Sequence, residues 1–166
     1  DIRLDEEFRK TEEQFRKTEK KIDQLTGGFG KFTEGLVEPN IEPLLKQFGI
    51  DVTSILPRAR SRINGKEMEV DILAKGIDNK NKKIIIYIEA KTDPHQNDIN
   101  EIIKHIKEFP IFFGEYKGWE IIGIIAGIKI NKGVCDYAEK CGLIILAPSG
   151  ETMKVLNSTG FKPKVW

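Results

Sequence analysis

At 166 residues the chain is long enough for one compact domain of about 130 to 150 residues with an appendage, and too short for two ordinary domains. Apolar residues make up 39% and charged ones 32%, enough for a packed core beneath an ionised surface, which excludes disorder throughout. Lysine plus arginine (27) nearly equals aspartate plus glutamate (26), so overall charge gives no reason to expect a polyanion partner, and any nucleic-acid surface must be a local patch.

The first 26 residues contain a near-repeat of seven, FRKTEEQ followed by FRKTEKK, which predicts a coiled-coil helix over 1–26. Phe8, Phe15 and Ile22 fall at one seam position and Leu4, Thr11, Thr18 and Leu25 at the other. Threonine weakens such a seam, and a short helix carries a nucleation cost, so the expected homodimer should draw on more than these heptads. A solitary helix, solvated or packed on its own domain, is the alternative. The chain opens at Asp1, mid-pattern and without a methionine, which predicts residues upstream. Gly27, Gly28 and Gly30 then break the helix as a hinge, and 27–166 read as one domain.

From Phe32 to Phe48 the apolar residues Val37, Ile41, Leu44 and Leu45 keep helical spacing, with Gly49 as the stop. Pro39 and Pro43 inside this stretch predict a kink, or two shorter helices meeting near Glu38. Strands are expected over Ile55–Ile63 and Lys66–Ala74, joined at Asn64-Gly65 in a hairpin. In the second arm Met68, Val70 and Ile72 alternate with Glu67, Glu69 and Asp71, which predicts one apolar and one acidic face. A polar loop over 76–82 leads to KIIIYIEAK, whose branched apolar run suits a strand buried on both faces. A helix over Asp98–Phe109, a strand EIIGIIAGIKI, a helix over Lys132–Lys140 and a strand LIILAP follow, and residues 150–161 suggest a polar edge and a short closing helix. A crossover helix implies parallel pairing and the hairpin is antiparallel, so an α/β fold with a mixed central sheet is expected.

Cys135 and Cys141 match no common zinc spacing and read as packed thiols. With no leader and no apolar run of about 20 residues, a cytoplasmic protein without a membrane attachment is expected. The isoleucine- and lysine-rich composition leans towards a thermophile.

Charged residues that end a buried strand require an explanation. Glu89 and Lys91 are two apart and face the same way, and a neighbouring strand about 4.8 Å distant can bring Asp71 within metal-bridging range of Glu89. Two converging carboxylates suit magnesium or manganese, which complete their shells with water and substrate phosphate. Lys91 can orient an attacking water or offset developing charge, so phosphodiester hydrolysis is the chemistry that this trio suggests. A structural ion pair at a strand end would leave the same trace in the sequence.

E-V-D-I-L-A, a loop and then Y-I-E-A-K resemble the PD-(D/E)xK nuclease superfamily, with Asp71, Glu89 and Lys91 as its signature residues and Val70 where a proline often stands. The element order over about 30–150 is similar to the restriction-endonuclease-like αβββαβ core of that superfamily. GKFTEGLVEP is similar to the G-x-x-x-E-x-x-V-x-P pattern of coiled-coil-bearing members of unknown function. The resemblance implies a metal-dependent endonuclease acting on nucleic acid, with DNA the expected substrate. It implies a further glutamate from the first helix, Glu34 in preference to Glu38, and the main-chain carbonyl of Ala90 in the metal shell. It also allows a catalytically inactive module that oligomerises through its coiled coil and binds nucleic acid or protein.

Arg58, Arg60 and Arg62 alternate along the first hairpin arm, placing three guanidinium groups on one face for contact with phosphate or for protection of an edge strand. His95 reads as a capping or surface residue of the loop after Lys91, and His105 as a helix-face residue. No phosphate-cradling glycine loop, Ser/His/Asp group or dinucleotide fingerprint occurs, so nothing points to ATP-driven chemistry.

Overall fold

The structure, a computed structural model, describes residues 2–26 and 32–166; for residues 15–17, 19–26 and 34 it describes the backbone alone. The hinge glycines Gly27, Gly28 and Gly30 lie outside the described residues.

The heptads form one helix, α1 (Ile2–Thr26). Its seam threonines turn inward on their own backbone: the Thr11 and Thr18 hydroxyls donate to the carbonyls of Glu7 and Gln14 at 3.0 and 2.9 Å. Ile2, Leu4 and Phe8 stand exposed on it.

Pro39 cannot donate to the carbonyl four residues back, and the turn ahead of it widens. Thr33–Val37 is accordingly π-helical, with the Glu38 N–H reaching Thr33 O, and passes directly into α2 (Glu38–Lys46). The expected junction of two short helices near Glu38 is therefore present. Gly49 stops the helix at φ +73°, with the Ile50 N–H returning to Leu45 O at 3.1 Å.

Asn64 and Gly65, both at positive φ, close the hairpin between β1 (Asp51–Ile63) and β2 (Lys66–Ile77). Both arms outrun their expected lengths, because polar residues such as Asp51 and Thr53 conceal the start of an edge strand. After β3 (Lys83–Lys91) come α3 (Gln96–Phe112), a short 3-10 turn, β4 (Glu120–Gly127), α4 (Lys132–Lys140), β5 (Ile144–Ser149) and β6 (Thr152–Val155). The strands lie side by side in chain order; β3, β4 and β5 are parallel to one another and every other pairing is antiparallel. The mixed sheet and the αβββαβ order are thus both observed.

Helices cover both faces. α2 and Phe32 pack with Ile72, Ile86, Ile88 and Ile124 on one side. On the other, Ile99, Ile102, Ile106 and Phe109 of α3 and Val134 and Ala138 of α4 pack with Leu73, Ile85, Tyr87 and Ile125. Isoleucines fill β3 and β4 because both strands are buried on both faces.

The expected closing helix is absent among the described residues after Ser149. Gly150, at φ +64°, turns the chain back, and β6 pairs antiparallel with β5. Asn157 extends the arrangement: its side-chain oxygen accepts from the Ile145 N–H at 2.8 Å while its amide donates to Leu143 O at 3.0 Å. Among the described residues no helix is long and apolar enough to cross a membrane.

Candidate active site

β3 is held between β2 and β4, but β2 accompanies it only part of the way. Their pairing runs from Ile77↔Lys83 to Ile72↔Ile88 and ends, so the next opposed pair would be Asp71 and Glu89. At that point strict alternation along β2 also fails, since Val70 and Ile72, two apart, lie in cores on opposite faces of the sheet. Arg58, the residue of β1 between the pairs Pro57↔Ile72 and Ala59↔Val70, sits at φ +51°, unusual for a residue with a Cβ. The hairpin twists away from the sheet here, as two-stranded ribbons do. The expectation that Asp71 shares one face with Glu67 and Glu69 is corrected by this twist.

The departure frees Asp71 to reach across to β3. Its Oδ2 accepts the Ala90 N–H at 2.9 Å, which sets its carboxyl near enough to Glu89 for the two charges to act on each other. In an extended strand the N–H and C=O of one residue point to the same neighbour. The Ala90 carbonyl therefore faces the gap that β2 leaves, whereas the Lys91 carbonyl is taken on the other side by the Ile128 N–H at 3.3 Å.

Burial pushes the Glu89 pKa up to about 8, reinforced by the nearby Asp71 carboxyl; a hydrogen bond from Tyr87 and the charge of Lys91 act in the opposite direction. Asp71, Glu89 and Lys91, three of the residues expected to form a site, are thus brought together at the carboxyl end of a parallel strand, where open α/β sheets bind ligands.

Tyr87 was not foreseen. Its ring is fully buried and its hydroxyl donates to Glu89 Oε1 at 2.9 Å, with His105 Nδ1 of α3 at 3.4 Å from the Tyr87 hydroxyl oxygen. The available signal was period-two alternation, which puts Tyr87, Glu89 and Lys91 on one face of β3. Burial raises the phenol pKa further above its ordinary value, followed by the charge of Glu89, so Tyr87 remains a neutral donor.

Glu34 belongs to the π-helical turn, and its side chain lies outside the described residues; Glu38 is half-buried at the start of α2. Arg60 Nε and Arg62 Nη2 both meet Glu67, at 3.0 and 3.4 Å, on the exposed face of the edge strand. His95 precedes the first turn of α3, and its N–H is accepted by Asp98 Oδ2 at 2.8 Å. Cys135 and Cys141 are free, half-buried thiols packed at the α3/α4 face.

Magnesium or manganese is the ion that the sequence resemblance implies. Among the described residues no three His, Cys, Asp or Glu side chains group around one point. The donors on offer would be two carboxylates, which repel each other when ionised, and one main-chain carbonyl, all hard oxygens. That set fits magnesium and does not fit the closed nitrogen and sulfur shells of structural zinc.

No protein-family model and no curated protein matches the sequence. Among solved structures, the chain is similar to a repair endonuclease from Pyrococcus abyssi at 17% identity and a TM-score of 0.36, over 62% of this chain and 40% of that one. An EndoMS–dsDNA complex is similar at 16% identity and a TM-score of 0.37, over 68% and 44%. A protein of unknown function from Silicibacter pomeroyi is similar at 9% identity and a TM-score of 0.37, over 78% and 70%. The chain spans less than half the length of the first two, and similarity at this distance says nothing about activity.

Proposed function

We propose that the protein is a metal-dependent nuclease that hydrolyses phosphodiester bonds in DNA. The observation that carries this reading is the placement of Asp71, bound to the Ala90 N–H, beside Glu89, with Lys91 next on the same face at the end of β3. Asp71 and Glu89 would hold magnesium or manganese, with the Ala90 carbonyl and Glu34 as further donors. A bound ion of this kind supplies Lewis-acid charge to a phosphate oxygen and acidifies a water. Lys91 orients the attacking water and offsets the negative charge that grows on the phosphate oxygens in the transition state. Ala90 N–H fixes the Asp71 carboxylate, and Tyr87 fixes that of Glu89.

Arg60 and Arg62 support a nucleic-acid partner. Their contacts with Glu67 are exposed ion pairs worth little in water, so phosphate can replace the carboxylate at small cost. Arg58 stands across the hairpin from Asp71 and is nearest in register to the site. The exposed Ile2, Leu4 and Phe8 of α1 suit a homodimer formed through that helix, which would present two sites to the two strands of a duplex.

The test is cleavage of single-stranded, duplex and branched DNA with magnesium or manganese. Wild-type protein should cut and Asp71→Ala should not; equal activity of the two removes the proposal. Folded protein that binds no manganese at millimolar metal would support instead an inactive module that binds nucleic acid or protein.

A further inference from the structure

Tyr87 and His105 lie behind the carboxylate pair rather than in it, and resting on the metal-site reading above, we infer that they form a hydrogen-bonded line that positions Glu89 for the ion. A phenol carries one proton. The Tyr87 hydroxyl donates it to Glu89 Oε1 at 2.9 Å, so its remaining contact, with His105 Nδ1 at 3.4 Å, requires a proton on that nitrogen. The order is then Nδ1–H of His105 to the oxygen of Tyr87, and O–H of Tyr87 to Oε1 of Glu89. A solvated neutral histidine side chain carries its proton mostly on Nε2, so the line predicts the other tautomer, set by the hydrogen bond that Nδ1 makes.

The geometry suits positioning rather than filling. Tyr87 is 0% exposed, and its ring packs T-shaped with Phe109 of α3, centroids 6.4 Å apart at 89°, which helps to fix where the hydroxyl stands. Phenylalanine would fill the same space without burying a hydroxyl that must find partners. With Oε1 held by Tyr87, the other oxygen of Glu89 is the one left to share with Asp71 and a cation. Outer partners of metal ligands act in this way: they orient the carboxylate and favour its ionised form. His105 ties the line to α3, so the carboxylate is referenced to the helix layer as well as to its own strand.

The experiment uses the full chain and manganese alone. Calorimetric titration with Mn²⁺ is run on wild type, Asp71→Asn, Tyr87→Phe, His105→Ala and His105→Asn, and long-range ¹H–¹⁵N spectra report the His105 tautomer in wild type and Tyr87→Phe. Wild type should bind manganese and carry the His105 proton on Nδ1. Tyr87→Phe should weaken manganese by about 10- to 100-fold and release the tautomer. His105→Ala should weaken it less, and His105→Asn, whose amide offers a donor near the Nδ1 position, should recover most of that loss. Manganese affinity unchanged in Tyr87→Phe, or a wild-type His105 protonated on Nε2, overturns the inference while leaving the metal site standing. Absence of manganese binding in wild type overturns both.

Discussion

At the residue scale, Glu89 is the carboxyl whose proton the proposed metal ion would have to displace. Its folded pKa of about 8 lies above the ordinary value of 4.5, raised by burial and then by Asp71. A raised carboxyl contributes stability that is complete below the unfolded pKa and is lost as the pH climbs through the folded one. The metal-free protein should therefore lose stability between about 4.5 and about 8 as Glu89 ionises beside Asp71. Thermal melts across that range check this: the fall should be smaller in Asp71→Asn, and saturating manganese should abolish it in wild type. Near neutral pH, manganese should also displace a proton from Glu89, visible as a binding heat that changes with buffer ionisation enthalpy. Lys91→Met should lower cleavage by about 10²-fold or more while manganese still binds, since Lys91 is assigned to water and charge rather than to the ion. Asp71, Glu89 and Lys91 stand out in the sequence as candidates because charge at the end of an apolar strand is costly unless it has work. Tyr87 was not, because a tyrosine in a buried strand reads as packing until its hydroxyl is seen to meet Glu89.

At the element scale, Asp71 can reach the Ala90 N–H because β2 parts from β3 there. Alternation in the sequence anticipated the hairpin and its Asn64-Gly65 turn, which depend on local pattern. It could not anticipate the twist, which arises where β3 ceases to pair with β2 and Arg58 adopts a left-handed backbone. The same limit hid β6. Four residues, Thr152–Val155, carry too little periodicity to declare themselves, and they are a strand because β5 offers an edge. Asn157 completes that edge, so Asn157→Ala should leave the partly buried Ile145 N–H and Leu143 C=O unpaired. The expected loss is about 1–3 kcal/mol, read from the denaturant midpoint, with manganese affinity unaltered because the proposed site lies on β2 and β3. A midpoint unchanged by the substitution would mean that water replaces the amide without penalty.

At the scale of the whole molecule, helices on both faces of a mixed sheet protect β3 and β4 and leave the carboxyl end of β3 as the place where charge can gather. The order of elements was legible along most of the chain, because long apolar strands and amphipathic helices announce themselves in their spacing. The role of α1 rests on its heptads and on the exposed Ile2, Leu4 and Phe8. Deleting residues 1–26 should convert a dimer to a monomer in light scattering, and an unchanged mass would put the association surface elsewhere. The most direct test of the central claim is anomalous diffraction from crystals soaked in manganese. The account predicts one peak between the carboxylates of Asp71 and Glu89 that vanishes in Asp71→Asn; wild-type crystals without a peak there, at manganese levels that saturate ordinary magnesium sites, would contradict it.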